Sequence, residues 1–231
     1  MPARKPIVIA VDGPSGVGKG ELTRGLARHY NFAILDSGAI YRVLAFAARK
    51  AGLALFDEDS LIEQAKVLNL RFEEGAQGVR AILNGEDVTA QIRTEEAGVN
   101  ASKVAALQGV RKALLQRQRD FRQEPGLVAD GRDMGSVVFP DAQVKIFLDA
   151  SCEVRAQRRL LQLQRTAGSS DGLDYDRIYQ DIKERDERDR NRPVAPLKAA
   201  ADAFILDSSE MSIEQVLSRA IEHADSRLAE L

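Results

Sequence analysis

The sequence predicts an α/β fold built on buried parallel strands, and three observations carry that prediction. Five short apolar runs, Ile7–Val11, Phe32–Leu35, Leu127–Ala129, Val144–Leu148 and Ala203–Leu206, are separated by stretches of helical periodicity. The first run leads into a glycine-rich turn, Gly13-Pro-Ser-Gly-Val-Gly-Lys19, which opens directly onto an amphipathic segment. Composition agrees: 231 residues, 44% hydrophobic and 29% charged, are ordinary globular values and enough to bury a sizeable core.

The strands come first. Each run ends at an aspartate, namely Asp12, Asp36, Asp130, Asp149 and Asp207. Polar residues at the carboxyl ends of such strands stand where open α/β sheets hold their ligands. A turn or a helix cap is the competing reading for any one of them, and the preferred one for Asp207.

Gly13-x-x-x-x-Gly18-Lys19 fits the phosphate-binding loop, in the strand–turn–helix setting that makes the match credible. Glycines let successive backbone N–H groups curl round an anion, and the helix start adds its positive dipole end. Lys19 then reaches the β- and γ-phosphates of a nucleoside triphosphate. The hydroxyl residue expected after the lysine, a Mg²⁺ ligand elsewhere, is Gly20, followed by Glu21. The metal is therefore held by phosphates, waters and a more distant carboxylate, or the site differs from a typical NTPase.

Helices are expected between the strands. Leu22, Leu26 and Tyr30 share one face after the loop. Ser60-x-x-Glu63 reads as a capping box opening a helix through Leu68. Thr94, Glu95 and Glu96 start a long helix running towards Phe121 through Val104, Leu107 and Leu115. Ser212-x-x-Gln215 caps the last, whose apolar face is Ile213, Val216, Leu217, Ala220 and Ile221. Between Leu70 and Ile92, Leu70-Arg-Phe, Val79–Leu83 and Asp87-Val-Thr read as a small antiparallel insert turning at Asn84-Gly85.

Three polar constellations carry candidate chemistry. Asp36–Arg42 supplies Ser37, an aromatic at Tyr41 and a phosphate partner at Arg42, a set that also suits a capped, salt-bridged helix start. Asp130-Gly-Arg-Asp133 is too polar for packing: Asp130 sits where a Mg²⁺ ligand is expected, Arg132 suits a phosphate and Asp133 an amino group. In Lys183–Arg192, Arg185, Asp189 and Arg192 share one helical face and Glu184 pairs with Arg188 on another. Alone, that run would read as a solvated helix. Beside a phosphate loop it reads as a closing segment that neutralises a transferred phosphoryl group, with Arg158 and Arg159 on the preceding helix and Thr166–Gly172 as a mobile loop.

The balance of 33 Lys and Arg against 35 Asp and Glu argues against a nucleic-acid binder. Cys152 is the only cysteine, so neither a disulfide framework nor a cysteine metal site is expected. His29 and His223 read as helix-surface residues. No apolar run approaches membrane-spanning length and no signal segment is visible, so no membrane partner and a cytoplasmic setting are expected.

Taken in order, GPSGVGKG, LDSGAIYR, ADGRDMGSVVFPDA, KIFLDAS and IKERDERDRNRPVAPL resemble segments of the bacterial cytidylate kinase family of nucleoside monophosphate kinases, over essentially the whole length. The resemblance implies a five-stranded parallel sheet with helices on both faces, a small antiparallel β insert and a lid. It implies one P-loop kinase domain over residues 1–231, with a monophosphate-binding region at 37–100, the insert at about 70–92 and the lid at 155–192. The implied reaction moves the γ-phosphoryl group of ATP to CMP or dCMP with Mg²⁺, in a monomer. Gly13, Pro14, Ser15, Gly16, Val17, Gly18, Lys19, Gly20 and Glu21 would form the donor loop. By matching position, Ser102, Arg111 and Asp133 would contact cytosine. Arg42, Arg132 and Arg192 would hold the acceptor phosphate, with Ser37 and Tyr41 nearby, and Arg185 with Asp189 the pentose. Lys19, Arg132, Arg185 and Arg192 would supply catalytic charge, and Asp130 would meet the metal through water. Gly20 matches the family, whereas Glu21 stands where it usually has threonine. Another small-molecule P-loop kinase is the nearest alternative, and an NTP-hydrolysing switch a more distant one, since no Asn-Lys-x-Asp signature is present.

Overall fold

Each apolar run becomes a strand, and the helical segments between them become helices. The computed structural model describes residues 5–75, 78–167 and 174–231. In chain order the elements are β1 (Ile7–Asp12), α1 (Lys19–Tyr30), β2 (Ala33–Asp36), α2 (Ser37–Lys50), α3 (Glu58–Lys66), β3 (Leu70–Gly75), β4 (Gly78–Leu83), β5 (Glu86–Asp87), α4 (Thr89–Ile92), α5 (Glu95–Ala105), α6 (Gln108–Arg119), β6 (Gly126–Gly131), β7 (Val144–Asp149), α7 (Cys152–Ala167), α8 (Tyr175–Arg190), β8 (Phe204–Asp207) and α9 (Ile213–Leu228). A π-turn at Met134–Val138 follows β6. They gather into two units, Met1–Leu35 with Phe121–Leu231, and Asp36–Asp120.

The first unit is organised on a five-stranded parallel sheet of order β2-β6-β1-β7-β8, flanked by helices, as the sequence predicts. Val8, Ile9, Ala10 and Val11 of the central strand are fully buried. That is why the run is continuous rather than alternating. Burying each of its larger side chains stabilises the sheet by roughly 1.5–3 kcal/mol. Leu22 and Leu26 of α1 join Val216, Ala220 and Ala224 of α9 in the same core. After β1 the chain moves to one side of the sheet, and after β7 it moves to the other, so the crevice at their carboxyl ends is the position where such sheets bind ligands.

The final helix starts as expected: Ser212 Oγ accepts from Gln215 N, and Ser212 N donates to Gln215 Oε1. Ile213, expected on its apolar face, is 60% exposed instead, because the first helical position precedes the turn that meets the sheet. Ser212→Ala is expected to cost about 1 kcal/mol and to lower the thermal midpoint by roughly 2–4 °C, readable by circular dichroism.

The second unit holds α2 to α6 and a three-stranded antiparallel sheet of order β3-β4-β5. Asn84 and Gly85 both take positive φ, 52° and 86°, the primed turn that an Asn-Gly pair favours. The third strand is shorter than expected, since it stops at Asp87 and Thr89 already begins α4. Two helix expectations need correction. Asp57, not Ser60, caps α3: its carboxylate accepts from Ser60 N and Ser60 Oγ at 3.2 and 2.6 Å, and the helix ends at Lys66. Thr94 does cap a helix, accepting from Ala97 N, but the single long helix towards Phe121 is two. Leu107 is extended between α5 and α6, and the Glu58 carboxylate accepts from Gly109 N to satisfy the new helix start.

Candidate active site

The loop between β1 and α1 is held in place by close backbone packing. A Cβ on Gly13 would lie 2.1 Å from the Leu148 carbonyl oxygen, so no other residue fits there. Gly18 takes φ 101° and ends the loop at the first turn of α1, which leaves the first N–H groups of the helix unmatched by any side-chain cap. Lys19 is only 7% exposed, and its Nζ donates to the Pro14 carbonyl at 2.7 Å. Burial, then the cations Arg132 and Arg185, push its ammonium well down, to about 7, against the pull of Asp130 and Asp12. Arg24 pairs with Glu21 on the outer side of α1.

Around the carboxyl end of the sheet the first unit assembles a ring of charge. Arg132 Nε donates to Asp189 Oδ2 at 3.0 Å, joining the turn after β6 to α8. Burial alone would raise the Asp189 carboxyl, but Arg132, Arg192 and Arg185 prevail and hold it below its usual range. Arg192 is buried, and one guanidinium nitrogen donates to the Ala195 carbonyl at 2.8 Å. It lies past the end of α8 at Arg190, so it does not share a helical face with Arg185 and Asp189 as the spacing suggested. The expected Glu184–Arg188 pair forms on the exposed face at 3.8 Å. Asp133 is buried, and Asp130, the last residue but one of β6, is close enough to Lys19 to act on its charge.

The second unit holds the other predicted residues. Ser37 opens α2 and donates to Gln118 Oε1 at 2.7 Å, while Asp36 caps the helix through Ala39 N. The Arg111 guanidinium lies 5.7 Å from the centroid of the buried Tyr41 ring, and its NH1 donates to the Ala105 carbonyl at the end of α5. Ser102 is buried on α5 and Arg42 half-buried on α2.

Arg155 escaped the sequence reading, as did the partners of Asp12 and Arg158, two residues named there only for their place in the chain. Asp12 is 4% exposed and accepts from Met134 N and Gly135 N, each at 2.8 Å. Burial raises its carboxyl to about 7 despite those two bonds. Arg155 donates to Ser15 O in the loop and forms a buried pair with Asp186 of α8. Arg158 reaches Val17 O and Ser208 O. A cavity of about 790 Å³ lies beside the loop, with Arg158 on one side and Leu161, Met211 and Ile213 among its apolar lining. Leu161 and Ile213 of that lining are large apolar side chains left exposed, which no local pattern in the sequence marks. Of the expected mobile loop Thr166–Gly172, residues 168–172 lie outside the described residues, and Thr166 belongs to α7.

A family model for cytidylate kinase matches residues 9–226. The cytidylate kinase of Pectobacterium carotovorum subsp. carotovorum is 58% identical over 223 residues, covering 96% of this chain and 97% of that protein. That of Pectobacterium atrosepticum is 56% identical over 222 residues, covering 96% and 97%. That of Salmonella arizonae is 55% identical over 222 residues, covering 96% of each.

Proposed function

The chain belongs to the cytidylate kinase family, and from that premise we propose that it transfers the γ-phosphoryl group of ATP to CMP and dCMP. The observation that carries the reading is the charge at the sheet's carboxyl edge: a buried Lys19 under the loop, with Arg132 and Arg185 near enough to lower its pKa. One bound nucleotide does not need that many cations. A phosphoryl group passing between two anions does, because charge spreads over its equatorial oxygens.

In this reading Gly13 to Glu21 hold the donor triphosphate, and its base occupies the cavity between Arg158 and Ile213. Arg42, Arg132 and Arg192 take the acceptor phosphate, with Ser37 and Tyr41 beside it, and Arg185 with Asp189 the pentose. Ser102, Arg111 and Asp133 read the base. A carboxylate at Asp133 accepts from the exocyclic amine of cytosine and would face an oxygen in uracil, which leaves buried polar groups unpaired. No side chain bonds covalently to the phosphoryl group. The acceptor phosphate is already anionic, so positioning and charge are what the residues supply.

Magnesium fits as an ion carried in on the triphosphate. Gly20 offers no hydroxyl, both Asp12 oxygens are engaged by backbone N–H groups, and no group of three or more His, Cys, Asp or Glu able to hold a metal occurs among the described residues. Asp130 is the carboxylate that would meet the ion, through water; the ion would neutralise charge on the transferred group. Among the described residues no helix is long and apolar enough to cross a membrane. A monomer in the cytoplasm completes the proposal.

Coupled assays with CMP, dCMP, UMP and AMP test it. The expected result is a kcat/KM for CMP and dCMP at least about tenfold above that for UMP and AMP. Equal turnover of UMP or AMP would overturn the cytidylate assignment, and rapid hydrolysis without any acceptor would favour a nucleotide switch.

A further inference from the structure

Asp12 has a partner set that the phosphate chemistry does not require. It is the last residue of the central strand, directly before Gly13 of the donor loop, and it pairs in register with Gly131 of β6. Its carboxylate is bonded to backbone outside the loop, although it also acts on the charge of Lys19. Its two oxygens accept the N–H groups of Met134 and Gly135, the first two of the π-turn that follows Asp133. That turn has no side-chain cap of its own. On the other side, the Asp133 carbonyl accepts from Val137 N and Val138 N at 2.9 and 3.2 Å. The peptide units after Asp133 are thus fixed at both ends, one of them by a strand more than a hundred residues earlier in the chain.

We propose that Asp12 is a positioning residue for acceptor recognition: by gripping Met134 N and Gly135 N it sets the direction in which Asp133 presents its carboxylate to the base. This rests on the reading of Asp133 as a base contact. A carboxylate suits the task because both oxygens accept, and buried charge-assisted bonds to backbone N–H groups are short and directional. Asparagine, of the same shape, has one acceptor; its amide N–H₂ would face a second N–H group and leave one of the two buried donors unmet. The turn would then relax, and Asp133 would move with it.

The experiment compares wild type, Asp12→Asn, Asp133→Asn and the double variant, reading kcat and KM for CMP, UMP and ATP together with the thermal midpoint. The expected result for Asp12→Asn is a fall in the CMP-to-UMP ratio of kcat/KM by about tenfold or more, carried by KM for the acceptor, with a smaller rise in KM for ATP because Asp12 also favours the charge on Lys19. In the Asp133→Asn background the same change should leave that ratio unmoved, because the residue through which Asp12 acts is already altered. A uniform loss towards both acceptors, or an equal rise in KM for ATP, would show a merely structural role and overturn the proposal. If Asp133→Asn by itself leaves the ratio at the wild-type value, the base reading fails first and the two failures are told apart. Should Asp12→Asn not fold, Asp12→Glu keeps a buried carboxylate while displacing the turn by one methylene. It is expected to lower the same ratio, and an unchanged ratio would overturn the proposal.

Discussion

Lys19→Met is expected to lower kcat by about three orders of magnitude or more while leaving the thermal midpoint unchanged or slightly raised. The magnitude is that of a single cation aimed at the transferred phosphoryl oxygens. The stability half follows from burial. Lys19 is 7% exposed, and burial with Arg132 and Arg185 outweighs the pull of Asp130 and Asp12, so an apolar side chain of similar length removes an unfavourable buried ammonium at the loss of that pull and of the bond to Pro14 O. Steady-state kinetics and a melting curve on the same preparation check both halves. A large fall in the midpoint would mean the lysine is a strut rather than a charge.

The same residue makes donor binding depend on pH. In the free protein Lys19 titrates near 7, because burial and then the arginines disfavour its charged form. A bound polyphosphate adds negative charge and raises that value again. Above pH 7 the donor must therefore bring a proton onto Lys19, so affinity falls as pH rises, by up to about tenfold per unit until the bound-state value is reached. Calorimetry from about pH 7.5 to 9, where the terminal phosphate is already fully ionised, isolates this effect. The slope should vanish in Lys19→Met.

The second large effect is on stability. Arg155 and Asp186 are 2% and 5% exposed at their side chains, and each Arg155 nitrogen has a partner: Ala150 O, Ser15 O and both Asp186 oxygens. Removing one member strands a buried charge, so Arg155→Ala is expected to cost about 3–5 kcal/mol. For a chain of this size that is a fall of roughly 6–20 °C in the thermal midpoint. The paired change Arg155→Met with Asp186→Leu should restore much of the loss, because no charge is left unmatched. Lys5→Ala, which opens the exposed pair with Asp141, should leave the midpoint nearly unchanged. An Arg155→Ala midpoint as high as that of Lys5→Ala would contradict the account. Arg155 also ties α8, which carries Arg185 and Asp189, to the loop, so a surviving variant should show weaker kinetics for donor and acceptor alike.

The strands, the phosphate loop and the last helix were legible because their signals are local. A continuous β-branched run specifies a strand buried on both faces, Gly13-x-x-x-x-Gly18-Lys19 specifies a backbone shape within a few residues, and Ser212 with Gln215 form a reciprocal cap inside one turn. The errors lay at element boundaries, and one of them was decided by a remote group. Leu107 fits a helical pattern, yet the helix breaks there because Glu58 stands ready to cap the next one at Gly109. Arg192 keeps helical spacing with Arg185, yet the helix has already ended.

The sequence by itself determined the sheet, the glycine-rich loop, the insert and the arginine-rich segments, since each is written in periodicity or chemistry spanning one element. Only the tertiary structure decided that Asp12 grips the turn after Asp133, that Arg155 anchors Ser15 from 140 positions away, and that a cavity of mixed polar and apolar lining opens beside the loop. The physical reason is satisfaction of buried polar groups. A buried carboxylate or guanidinium must find a partner, but which N–H or carbonyl it finds is set by how the elements pack, and no short stretch of sequence records that.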